Sequence, residues 1–178
     1  MDLKRIGDVY EANARTRQRL EALLETISPD EAKHVPDGGW SILQIVEHVA
    51  LVGEGTANIC RRLVDKSVAE ASPSDGALKV SPQFGELSAQ IATMRLQAPD
   101  RVQPTGNVSF AESLGRLETS SELFNKMRPE MATHDLSSAT FPHPFMGDLT
   151  AAEWLMVAGG HELRHIKQIE RQLAEIRR

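Results

Sequence analysis

Apolar residues return every three or four positions along four stretches of this chain, the spacing of an amphipathic helix. The first stripe runs Leu3, Ile6, Tyr10, Asn13, Arg17, Leu20, Leu24, Ile27 and predicts a helix from about Leu3 to Ile27 with a polar middle. The second, about Ile42 to Lys66, carries Ile42, Ile45, Val46, Val49, Val52, Ile59 and Leu63 behind an N-cap at Ser41. The third opens at the capping box Ser109-x-x-Glu112 and sets Phe110, Leu114, Leu117, Ser121 and Phe124 on one face. It is expected to reach about Met127 and to end near Pro129. The fourth opens at Thr150-x-x-Glu153, and its stripe is Trp154, Ala158, His161, His165, Gln168, Gln172, flanked by Leu155, Ile166, Ile169 and Leu173.

The connecting segments read as turns and one long crossover. Ser28-Pro29-Asp30-Glu31 starts a short helical turn, and Pro36-Asp37-Gly38-Gly39 breaks it. From Ser67 to Gly106 the chain is interrupted by Pro73, Pro82, Pro99 and Pro104, with one helix expected behind a Ser81-Pro82 cap, carrying Phe84, Leu87, Ile91 and Met94. His134 to Asp148 is a proline-punctuated connection. Four long helices joined in this way make an all-α four-helix bundle, a single domain over residues 1–178, with the crossover between the second and third long helices. The βαβ alternation, phosphate-cradling glycine loops, G-x-S-x-G and CxxC are all missing.

Composition changes this picture only by exclusion. The chain has 178 residues, 40% hydrophobic and 25% charged, with a formal charge of −5. That balance offers no electrostatic footprint for nucleic acid, and no helix carries a basic stripe. The lone Cys60 rules out an internal disulfide and fits a reducing compartment. Charges interrupt every apolar run at the N-terminus, and no segment has the length of apolar chain needed to span a membrane. A cytoplasmic protein is expected.

The chemistry lies in the fourth stripe. His161 and His165 are one turn apart on a face turned toward the core, where an unpaired polar group costs ~2–7 kcal/mol. His48 lies in the interior run of the second helix as a third inward imidazole. Hydrogen bonds to backbone would satisfy such histidines. So would a divalent ion, since His at i and i+4 places two ring nitrogens within reach of one metal. Gly53, Gly55, Gly159 and Gly160 stand near these histidines and suggest either close helix crossings or room for a ligand. Asn13 and Arg17, at mid-stripe of the first helix, are candidates to line a cavity there and to bind an anionic group.

Residues 161–165, His-Glu-Leu-Arg-His, formally match the zinc-peptidase pattern H-E-x-x-H, with Glu162 as its general base. The extended form of that motif needs Gly at 168 and His at 171, where this chain has Gln168 and Arg171. A different set of motifs spans the whole chain in order: Trp40-Ser41, Glu47-His48, His143-Pro144-Phe145-Met146-Gly147, and His161-x-x-x-His165 with Gln168 three residues on. In these the sequence resembles the DinB-like (DinB/YfiT) superfamily.

The resemblance implies an up-down-down-up bundle, homodimeric assembly, and one divalent metal ion per chain held by His48, His161 and His165. Zinc or nickel suits three nitrogen ligands best, with iron or manganese also compatible. Relatives with assigned chemistry use low-molecular-weight thiols such as bacillithiol or mycothiol, so a thiol cosubstrate acting on a small-molecule substrate is implied. A metal-dependent thiol S-transferase or hydrolase is the functional expectation, with no DNA-binding role. A metal-binding or stress-response bundle without turnover is the alternative. Glu47, Glu162 and Gln168 are candidates to fix the imidazole N–H groups; Arg17, Asn13 and Glu162 are the candidates for contact with substrate. His143 is expected in a turn, His34 and His134 at the surface, Trp40 and Trp154 in the core, and Cys60 as a small buried residue.

Overall fold

The computed structural model describes residues 3–94 and 96–178. Its helices are α1 (Ile6–Leu24), α2 (Pro29–Lys33), α3 (Ile42–Ser67), α4 (Phe84–Thr93), α5 (Phe110–Thr133) and α6 (Ala151–Ile176). The four long ones start as the capping residues require: Ser41, Ser109 and Thr150 each accept the N3 backbone N–H while Gln44, Glu112 and Glu153 reach back to the cap. At α1 the Asp8 carboxylate accepts the N–H groups of Lys4 and Arg5.

Two apolar clusters divide the bundle along its length. One gathers Ile6, Val9 and Tyr10 with Cys60, Leu63 and Val64, Met127 and Met131, and Ala151, Trp154 and Leu155. The other gathers Leu20 and Leu24 with Ile42, Ile45, Val46 and Val49, Leu117, and Ile166, Ile169 and Leu173. Low numbers of α1 and α6 therefore meet high numbers of α3 and α5, so the topology is up-down-down-up. α3 packs on α5 and α6, and α1 closes the bundle against α6 and α5. Between the clusters lies a polar layer drawn from the middle of every long helix.

Four features depart from the pattern in the sequence. α5 runs through Pro129 to Thr133: Met127 and Met131, buried on either side of the proline, hold the last turn in the core, and the missing N–H frees only the Asn125 carbonyl. Ser81-Pro82 does not cap α4. The Ser81 N–H donates to Glu153 at 2.6 Å, and α4 starts behind Gln83 with no side-chain cap. The connection after α5 holds an antiparallel hairpin, β1 (Thr140–His143) with β2 (Gly147–Thr150), closed where Gly147 takes φ +72°. His134 is half-buried at the end of α5, its ring beside Thr133 and the Glu130 carbonyl.

The crossover is pinned at both ends. Residues 73–78 thread between the start of α1 and the end of α5, with Ile6 N–H to Gly76 O at 2.9 Å, Leu78 N–H to Lys4 O and Ser74 N–H to Thr133 O at 2.8 Å. Gly76 has φ +80° and a Cβ there would sit 2.9 Å from the Ala132 carbonyl oxygen, so the passage needs glycine. A 3₁₀ turn at Asp100–Val102 brings the far end back over α3.

Candidate metal centre

His48 comes from the second turn of α3, and His161 and His165 from the middle of α6, all in the polar layer. The Nε2 atom of His161 lies 3.2 Å from that of His48 and 3.2 Å from that of His165. One ring nitrogen from each of the three falls within 4.8 Å of the others. The other nitrogens of two rings are already used. His48 Nδ1 meets the Val102 carbonyl at 2.8 Å, and His165 Nδ1 meets Gln168 Oε1 at 2.8 Å. Both partners are acceptors, so both Nδ1 atoms carry the proton and both Nε2 atoms present lone pairs.

Those contacts test whether a metal fits. Protein hydrogen bonding leaves the cluster frustrated, because His161 Nε2 can give at most one N–H to two facing lone pairs. A cation at their centre satisfies all three. Zinc–nitrogen bonds of ~2.0–2.1 Å in a tetrahedral arrangement set ligand nitrogens ~3.3 Å apart, close to the two 3.2 Å separations that His161 makes. Burial also drives every imidazole toward its neutral, ligating form. The pKa of His48 is lowered by burial, against the Val102 bond, which raises it. His165 is lowered to about 3 by burial and by His48, and His161 lies well below the ordinary value through burial and its two neighbours. Arg164, whose guanidinium donates to the carbonyls of Ile91 and Met94, adds to the depression of all three.

The surrounding residues sort out differently from the pattern of the sequence. Gln168 holds His165, as its position three residues on suggests. Glu47 does not touch an imidazole. Its carboxylate accepts Thr105 N–H and Oγ1–H at 2.9 Å and Gly106 N–H at 2.8 Å, tying the end of the crossover to α3. The acceptor for His48 is instead the backbone of Val102, which no residue type announces. Trp40 is only half-buried, at the edge of the core rather than inside it, and its ring lies tilted 4.9 Å from the His48 ring. Trp154 is buried, with Nε1–H donated to the Phe141 carbonyl, and His143 packs over it at 5.0 Å from the tip of the hairpin. Cys60 is fully buried and its thiol is pushed far up by that burial.

Glu162 turns away from the histidines and pairs with Arg17 in two parallel bonds, Nε to Oε1 at 2.9 Å and Nη2 to Oε2 at 2.8 Å. Arg17 Nη1 donates to Ser121 Oγ at 3.2 Å. This pair borders a small cleft of about 30 Å³ with His161 in its wall, lined also by Val49, Val52, Gly53, Ser120, Ser121, Phe124 and Ala158. Asn13 does not line it. Its Nδ2 donates to the Leu155 carbonyl at 2.9 Å, and its amide fills the space beside Gly159.

Comparison with known proteins agrees with this architecture. A family model described as the DinB superfamily matches residues 12–169. A Bacillus subtilis (strain 168) protein, the uncharacterized protein YuaE, is 23% identical over 166 residues, covering 89% of this chain and 96% of its own. Among solved structures, that of TT2238, a four-helix bundle protein, superposes with a TM-score of 0.61 at 25% identity, covering 93% of this chain and 98% of its own.

Proposed function

This chain belongs to the DinB superfamily, and we propose that it binds one divalent metal ion per chain through Nε2 of His48, His161 and His165. The convergence of three lone-pair-bearing nitrogens that cannot satisfy one another carries this reading. Zinc or nickel fits the donor set best. When bound, such an ion with open positions supplies Lewis acidity toward water, a thiol or a carbonyl. The protein's part is to keep the imidazoles neutral by burial, to fix two of them by Nδ1 hydrogen bonds, and to offer a cleft beside His161. On that footing the chain is a metal-dependent enzyme acting on a small molecule, of thiol S-transferase or hydrolase type, with a low-molecular-weight thiol as cosubstrate in the first case. Homodimeric assembly and a cytoplasmic location belong to the same reading, supported by the family resemblance and by the lone cysteine. None of the described helices is long and apolar enough to cross a membrane.

The peptidase reading of His161-Glu162-x-x-His165 loses its general base, since both carboxylate oxygens of Glu162 are held by Arg17. Elemental analysis of untagged protein tests the metal assignment. Wild type is expected to carry about one ion per chain, and His48→Ala to carry none. Stoichiometric metal retained in His48→Ala would overturn the ligand set.

A further inference from the structure

The three histidines differ in what holds the ring nitrogen that the cluster does not use. His48 Nδ1–H donates to the Val102 carbonyl and His165 Nδ1–H to Gln168 Oε1, both at 2.8 Å. His161 sets its Nε2 against both other rings, and its Nδ1 has no partner among the described residues. A neutral imidazole that offers Nε2 as a lone pair carries its proton on Nδ1. A histidine bound to metal almost always gives that proton to a carboxylate, a carbonyl or a water, which fixes the ring and raises its basicity. The third ligand therefore needs an acceptor that the described residues do not supply.

Of the three, His161 is the one in the wall of the small cleft. A water needs roughly 10–15 Å³ of space and two to four polar partners, so about 30 Å³ has room for about two. The polar groups around that space are matched to water. Arg17 commits Nε and one hydrogen of Nη2 to Glu162 and one hydrogen of Nη1 to Ser121, which leaves a second hydrogen on each terminal nitrogen without an acceptor among the described residues. The anion expected of Arg17 from the sequence is thus Glu162 itself. Ser120 Oγ–H donates to the Arg116 carbonyl at 2.9 Å, so its lone pairs remain for an incoming hydrogen. Donors without acceptors and an acceptor without a donor line one space, and a molecule of water's size that both accepts and donates joins them.

We propose that this cleft is a built water site, in which a water accepts Nδ1–H of His161 and an N–H of Arg17 and donates to Ser120 Oγ. Arg17 and Ser120 are then positioning residues for the third metal ligand, acting on His161 through water. Each ligand is oriented by a different acceptor: a crossover carbonyl for His48, a side-chain amide on its own helix for His165, and a water held between α1 and α5 for His161. A bridging water of this kind is nearly as good an acceptor as a direct protein group. The proposal rests on the metal reading above, which is what places the His161 proton on Nδ1.

NMR of the full chain, loaded with zinc and labelled with nitrogen-15 at histidine, tests it. The Nδ1–H resonance of His161 should show a cross-peak to water, whereas those of His48 and His165, held by Val102 and Gln168, should not. Ala158→Val adds two methyl groups at the cleft and leaves His161, Arg17 and Ser120 in place. It should remove the cross-peak and weaken zinc binding about tenfold, as read by competition with a chelator. A His161 Nδ1–H without contact to water in wild type, an unchanged zinc affinity in Ala158→Val, or a weakened affinity with the water contact intact overturns the proposal. The wild-type spectrum decides it even if Ala158→Val does not fold. Zinc content of the same samples is a separate readout. A wild type that takes up no zinc overturns the metal reading and the water assignment with it, whereas bound zinc without the cross-peak overturns the water assignment alone.

Discussion

Gly159 and Asn13 meet where α1 crosses α6, and a Cβ at 159 would overlap the Asn13 amide. Two explanations of the glycines near the histidines stood open from the sequence, close crossing or room for a ligand, and single-atom distances separate them. At Gly53 a Cβ would lie 3.1 Å from Leu117 Cδ2, another close crossing, whereas at Gly55 and Gly160 it would meet nothing. Gly159→Ala is therefore expected to destabilise the protein by about 1–3 kcal/mol through overpacking. In an Asn13→Ala background the same change should be neutral, or stabilising by up to ~1 kcal/mol, because alanine is then simply the better helix former. Urea unfolding of the four proteins in this cycle measures the difference. An equal penalty in both backgrounds would show that the overlap is not what excludes alanine.

At the level of elements, the crossover does more than join α3 to α5. Its 3₁₀ turn supplies the Val102 carbonyl that orients His48, and Glu47, one residue before His48, holds the crossover three and four residues beyond Val102. Metal affinity should then depend on a residue that touches neither metal nor imidazole. Glu47→Ala is expected to weaken zinc binding by about 10–100-fold with all three histidines in place, as read by competition with a chelator of known affinity. Unchanged affinity would mean that His48 is oriented without the crossover. Glu47 was recognisable as polar and adjacent to His48, a candidate ligand, but its partners lie 58 and 59 positions away. The hairpin after α5 was illegible for a related reason: Pro142 and Pro144 interrupt any alternation, and the strands are set by pairing with each other and by Gly147.

Across the whole molecule, the two apolar clusters supply most of the core, and the polar layer between them holds the three imidazoles. Its imidazoles have folded pKa values below the ordinary one, His165 at about 3. As pH falls below ~6.5 the unfolded chain binds protons that the metal-free native state refuses, so stability is present above that pH and lost below it. The slope is at most about 1.4 kcal/mol per pH unit for each histidine. Urea midpoints of metal-free protein should fall between pH 7 and 5, a window above the range where carboxylates titrate. His161→Leu should show a shallower decline, and identical slopes would remove the buried histidines as the cause. Zinc should raise the midpoint at neutral pH by binding only the folded state.

Helical spacing, capping boxes and one long proline-rich interruption were enough to determine four long helices, their order and the three inward-facing histidines, because these depend on local backbone preferences and on which face of each helix is apolar. The up-down-down-up arrangement rested on resemblance until the two clusters appeared, and the Nε2 contacts support the proposed ligand set. Only the tertiary structure decided that Glu162 belongs to Arg17 rather than to a metal or a water, that Asn13 fills a crossing, that Val102 holds His48, and that α5 passes through Pro129. Each of these turns on pairing across the bundle or the crossover, or on burial that outweighs a local preference. Spacing along one helix carries no record of which group on another helix will face it.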